Sequence, residues 1–124
     1  ALSITHDMGS VRRIADRVIW AGLGRVPDPR ADVPTIVVEF VSAGRRNWLR
    51  DYVDKKNEYL ALGVCEYWIL DRFRRTLTVH QKTTTGSREQ TVAESETYTT
   101  DLLPGFELPL KRLFAAADRW DSPS

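Results

Sequence analysis

The chain has 124 residues, room for one domain and not two, and its 42% hydrophobic and 28% charged residues are those of a globular domain that needs no disulfides. The single cysteine, Cys65, excludes a disulfide framework and a cysteine-rich zinc site, and no run approaches the roughly 20 apolar residues of a membrane span. A formal net charge of +1 excludes a histone-like polyanion binder, while the predominance of arginine over lysine points to a local anion site, arginine being the better phosphate fork.

The start lacks the basic stretch and apolar core of a signal peptide, so a cytoplasmic setting without membrane association is expected. Residues 18–21 (V-I-W-A) predict a short strand, which 1–5 can pair as a hairpin across 6–10, where Gly9 lies. Residues 22–34 hold prolines and glycines and predict a loop. Residues 34–42 (P-T-I-V-V-E-F-V-S) are β-branched and apolar on both faces, as in a central strand covered on each side. A helix is predicted from about Arg46 to Leu62, closed by Gly63. Residues 66–71 (E-Y-W-I-L-D) predict a second buried strand, and Phe73-Arg74 a tight connection to 76–81, whose alternation implies one solvated face. A polar turn at 83–88 around Gly86, weaker strands at 90–93 and 96–100, a turn at 103–106 and a final helix at 110–117 complete the pattern, with 118–124 expected to fray. The whole is an α/β or α+β domain over 1–117, a mixed sheet with one main helix.

Glu39 is the anomaly in this pattern. Alternation puts it on the face of Val37 and Val41, within a strand that is apolar on both sides. A buried carboxylate there costs several kcal/mol unless it is paired or metal-bound, so the alternatives are an ion pair with an arginine or a ligand for a hard cation. Asp16, at the start of the preceding apolar strand, is the preferred second acid. Asp28 sits between Pro27 and Pro29 and leads into more loop. On the helix, Asp51, Lys55 and Tyr59 form an i, i+4, i+8 stripe that can be no more than a helix ion pair. Lys56 points towards the face of Leu49, Tyr52, Val53 and Leu60, and periodicity leaves open which lysine reaches a site. Arg45 and Arg46 could meet phosphates or form a solvated helix start. His6 and His80 are too isolated for a metal cluster, and no glycine loop has a phosphate-cradling context.

Four segments together resemble a known family. These are 34–42, then Asp51, Lys55 and Tyr59, then 63–71 (G-V-C-E-Y-W-I-L-D), then 102–110 (L-L-P-G-F-E-L-P-L). They are similar to the Uma-type restriction endonuclease family of the PD-(D/E)xK superfamily, over roughly Arg12 to Phe114. The resemblance implies a restriction-endonuclease-like mixed β-sheet flanked by helices, and a Mg²⁺-type nuclease site, with Mn²⁺ as a substitute, acting on DNA. It implies Asp16 in the place of the P-D aspartate, with Ala15 replacing the proline, and Glu39 as second acid. The superfamily lysine would fall at Val41 and is absent there. The family's lysine on the following helix, four residues before a tyrosine, matches Lys55. The resemblance also implies a homodimer. The family's N-terminal helical region, with a further glutamate, is expected to be missing from the domain. The competing expectation is a nuclease fold that has lost catalysis and serves as a binding module.

Overall fold

The computed structural model describes residues 2–5, 17–21, 24–28, 31–41 and 48–121. Strands β1 (Leu2–Thr5) and β2 (Arg17–Ala21) pair antiparallel with Leu2 opposite Ala21. β2 pairs antiparallel with β3 (Ile36–Phe40), Arg17 lying opposite Val38. Helix α1 (Trp48–Leu62) then crosses over the sheet, so that β4 (Glu66–Asp71) runs parallel to β3 with Glu39 opposite Ile69. β5 (Thr76–Thr83) and β6 (Gly86–Ala93) add antiparallel strands, giving the order β1-β2-β3-β4-β5-β6. The sheet is therefore mixed, with its parallel pair at the centre.

The two-sided apolarity of 36–41 follows from this arrangement. Val18, Trp20, Val37, Val41, Tyr67 and Ile69 form one buried cluster with Tyr59 of α1 and with Val64. The opposite face carries Ile19, Ile36, Val38, Trp68, Leu70, Leu77 and Val79 beneath the C-terminal segment. That segment consists of a ribbon of β7 (Thr97–Tyr98) with β8 (Leu108–Pro109), followed by α2 (Leu110–Asp121), which contributes Leu110 and Phe114. The end of α1 is set by Gly63 at φ +107°, a left-handed position that suits glycine. Gly63 N–H donates to the Leu60 carbonyl at 3.2 Å and Val64 N–H to that of Tyr59 at 3.1 Å, the two bonds of a Schellman cap.

Three sequence expectations are corrected. The polar turn expected over 83–88 is a two-residue connection: β5 and β6 pair from Thr76 opposite Ala93 to Thr83 opposite Gly86. β-branched threonines extend the strands, and Gly86 at φ +145° lets the chain reverse tightly. The strand expected at 96–100 shrinks to β7, and its partner β8 was hidden inside the approach to the last helix. Residues 118–121, expected to fray, continue α2, because Asp118 takes both arms of the Arg75 guanidinium at 2.9 and 2.8 Å. That fork comes from 43 residues away, a distance local pattern does not register.

One buried carboxylate is wholly structural. Glu66 is 3% exposed and accepts from Trp68 Nε1 at 2.8 Å, Tyr98 Oη at 2.7 Å, Thr100 Oγ1 at 2.6 Å and Gln81 Nε2 at 3.0 Å. Four neutral donors fill its lone pairs and fasten the β7 region to the sheet. Burial first, and then the bond to Glu66, push the Tyr98 phenol above its ordinary pKa. Glu66→Ala should cost about 3 kcal/mol in urea unfolding, because four buried donors lose their acceptor at once, whereas Glu66→Gln should cost about 1 kcal/mol.

Candidate active site

The second buried carboxylate, Glu39, has a different environment. It stands at the penultimate position of β3, on the face that α1 covers, and is 2% exposed. The parallel register sets Val37 opposite Tyr67, so Tyr67 and Glu39 share that face two residues apart along the strand direction. The Tyr67 hydroxyl donates to Glu39 Oε2 at 2.8 Å. From above, Lys55 in the second turn of α1 brings Nζ to 3.3 Å from Oε2 and 3.2 Å from Oε1. Its side chain is 13% exposed, the stem lying along the helix–sheet boundary with the charge directed at the carboxylate. Three elements thus converge on one carboxylate.

A shell of rings supports this group. The Tyr59 and Tyr67 rings meet at 5.2 Å between centroids, tilted by 60°, and His80 stacks with Tyr67 at 6.0 Å and 25°. His80 reaches this place because β5 sets it opposite Tyr67. Burial holds the imidazole below its ordinary pKa, opposed by the Glu89 carboxylate and assisted by the Lys56 charge. His80 Nδ1 lies 3.7 Å from Glu89 Oε1 on the neighbouring strand. Lys56 therefore acts on His80, while Lys55 meets Glu39. The choice that periodicity left open is made by the crossing of α1 over β3.

Of the residues singled out in the sequence, Glu39 and Lys55 come together. Asp16, Arg45 and Arg46 lie outside the described residues. The ion-pair alternative for Glu39 named an arginine, and the cation here is a lysine. Tyr67 was missed. Its signal was a phenol in a strand buried on both faces, where the hydroxyl needs a partner. Among the described residues, no three histidine, cysteine, aspartate or glutamate side chains gather as a metal cage.

The model of the Uma2 family, described as "Putative restriction endonuclease", matches residues 12–111. No curated protein matches the chain. Among solved structures, the fold is similar to the crystal structure of a "putative nuclease belonging to DUF820" from Anabaena variabilis ATCC 29413, with a TM-score of 0.63 and 13% identity. The match covers 82% of this chain and 59% of that one, so the chain spans about three-fifths of that protein's length. At this identity the likeness is one of fold.

Lys55→Met should lower stability by about 3 kcal/mol, since it strips the cation from a buried carboxylate, and adding Glu39→Gln should recover most of that loss. Urea unfolding of the two single variants and the double variant measures the coupling. A second expectation concerns pH. His80 takes up its proton less readily folded than unfolded, so its stabilising contribution is present above pH ~6.5 and is lost as pH falls through the folded value. Melting curves between pH 7.5 and 5 should show a shallower decline in His80→Gln than in the parent.

Proposed function

The chain belongs to the Uma2 family, and on that premise we propose that it is a metal-dependent DNA endonuclease whose site comprises Asp16, Glu39 and Lys55. The observation that carries the proposal is the Lys55 ammonium held 3.2 Å from a carboxylate that the fold buries at the end of β3. An acid and a lysine converging from a strand and the next helix are the parts a phosphodiester hydrolase needs: a ligand for a hard cation and a positive charge for the phosphate. Asp16 is included because Arg17, which follows it in the chain, pairs with Val38, the chain neighbour of Glu39.

The donor chemistry of Glu39 fits Mg²⁺ or Mn²⁺, which prefer carboxylate oxygen. Asp16 and Glu39 would hold the ion. When bound, it would lower the pKa of a coordinated water and neutralise charge on the scissile phosphate. Tyr67 fixes the Glu39 rotamer through its 2.8 Å bond, so the carboxylate is preorganised. Lys55 would orient the attacking water or stabilise the negative charge that builds on the phosphate oxygens. Arg45 and Arg46 would contribute phosphate contacts that add affinity without reading sequence. A homodimer would let two such sites address the two strands of a duplex. No described helix is long and apolar enough to cross a membrane, and action in the cytoplasm belongs to the same proposal.

The internal pairing of Glu39 with Lys55 and Tyr67 also favours a second reading, a nuclease fold that binds and no longer cuts. Plasmid nicking in Mg²⁺ or Mn²⁺ separates the two. Glu39→Ala should abolish cleavage, Lys55→Ala should slow it about 10²-fold or more, and Lys56→Ala should leave it near the parental rate. A Lys55→Ala variant as fast as the parent removes Lys55 from the mechanism. An inactive parent favours the binding module.

A further inference from the structure

The connection between β4 and β5 has features that the hairpin itself does not require. Phe73 is 54% exposed, with Arg72 and Arg74 on either side of it in sequence. The Arg72 guanidinium lies 4.7 Å from the centroid of the Phe73 ring. A phenyl ring more than half exposed contributes little to the core, and with the guanidinium against it the pair presents a flat, polarisable surface.

The turn is also rigidly built from both ends. Asp71, buried at the end of β4, accepts from the backbone N–H groups of Phe73 and Arg74 through Oδ1, each at 3.0 Å. Its other oxygen lies 3.9 Å from Arg74 Nε. Arg75 adopts φ +57°, the only non-glycine residue with positive φ among the described residues. That conformation is held by Asp118 at 2.8 Å, by Glu94 at 3.1 Å and by the Phe114 ring, whose centroid is 5.2 Å from the guanidinium. Glycine would adopt this angle without strain. A left-handed residue commonly closes a hairpin loop of this length, and these three contacts hold the turn in one shape.

Position completes the argument. β3 and β4 run parallel and end on the same side of the sheet, where ligands of parallel strands bind. Glu39 is opposite Ile69, and the turn begins just past Asp71. At about 3.3 Å per strand residue, Phe73 lies on the order of 10 Å along the sheet from Glu39. That equals about three nucleotides of a strand rising roughly 3.4 Å per residue.

We propose that the Arg72-Phe73-Arg74 turn is a nucleic-acid contact that grips a single strand beside the Glu39 site, Phe73 stacking on an unpaired base and the two arginines meeting the flanking phosphates. This deepens the nuclease reading and rests on it. A ring backed by a guanidinium stacks on any base, so the contact favours unpaired over paired strands and is indifferent to sequence.

The test is fluorescence anisotropy of labelled single-stranded and duplex oligonucleotides in EDTA, so that binding is read apart from cleavage, with parental plasmid nicking in Mg²⁺ run alongside. Phe73→Ala should weaken single-strand binding about tenfold and duplex binding less, and Phe73→Trp should retain the parental affinity. Arg74→Gln should reduce the dependence of log K on log salt by about 0.7 on a single strand. Lys111→Gln, an exposed cation of α2, is the charge control and should stay within about twofold. Single-strand affinity unchanged in both Phe73→Ala and Arg74→Gln overturns the contact even if the parent cuts DNA. Affinity lost in these variants while the parent cuts nothing upholds the contact and overturns the nuclease reading. A parent that binds neither oligonucleotide overturns the contact.

Discussion

The structure turns on a carboxylate buried where hydrocarbon would be the cheaper choice. An ionised Glu39 inside β3 costs several kcal/mol unless other groups replace its water, and that requirement reaches into three elements. Tyr67 must come from β4 in the parallel register that sets it beside Val37. Lys55 must come from α1, which fixes how far along the sheet the helix sits before its cap at Gly63 turns the chain into β4. Moving the helix by one residue would bring Asp54 or Lys56 to the carboxylate in place of Lys55. One would repel it, and the other acts on His80 as the helix now lies. The placement of α1 on the sheet and the identity of the site are therefore one constraint.

The molecule holds a second buried carboxylate, and the contrast explains why only one is a candidate for chemistry. Glu66 is closed by four uncharged donors that come from its own strand, from β5 and from the β7 region. Such a shell leaves no lone pair for a ligand and no charge that a ligand could displace. Glu39 instead has a cation on a flexible four-carbon stem at the edge of a helix, near the end of its strand. A lysine on such a stem can yield part of its contact to another cation more readily than four fixed neutral donors can. Two glutamates of nearly equal burial are thus a rivet and an adaptable site.

The parts of the fold that sequence made legible are those whose cause is local. β3 is visible because its β-branched run is apolar on both faces, α1 because its stripe ends in glycine, and β4 because its apolar run is bounded by turn residues. The anomaly of Glu39 could be seen for the same reason: a charge stands out against a hydrocarbon pattern. Lys55 and Lys56 could not be separated, since the two positions differ by 100° on a helix whose crossing angle no local pattern records. Tyr67 was lost because strand propensity accounts for a tyrosine without its hydroxyl. The pairing of β7 with β8 and the last turn of α2 were lost because their supports, Glu66 for one and Arg75 for the other, lie 30 residues or more away in the chain.

Arginine usage completes the argument, because the excess of arginine over lysine first suggested phosphate forks. Part of that excess is spent inside the protein. Arg25 grips Asp32 with both arms at 2.7 Å, Arg75 grips Asp118, and Arg88 bonds Gln81 across the β5–β6 hairpin. A planar fork is as well matched to a carboxylate as to a phosphate, so composition cannot tell a strut from a binding residue. Geometry can. Arg25 and Arg75 each meet a carboxylate in parallel bonds, the closed form of the fork, and Arg75 reaches Glu94 as well. Arg74 Nε lies 3.9 Å from Asp71, and the Arg72 guanidinium lies over an exposed ring at the sheet end that carries Glu39. With a net charge of +1, attraction for a polyanion has to come from such local placement, and the chain puts it one strand away from its most costly buried charge.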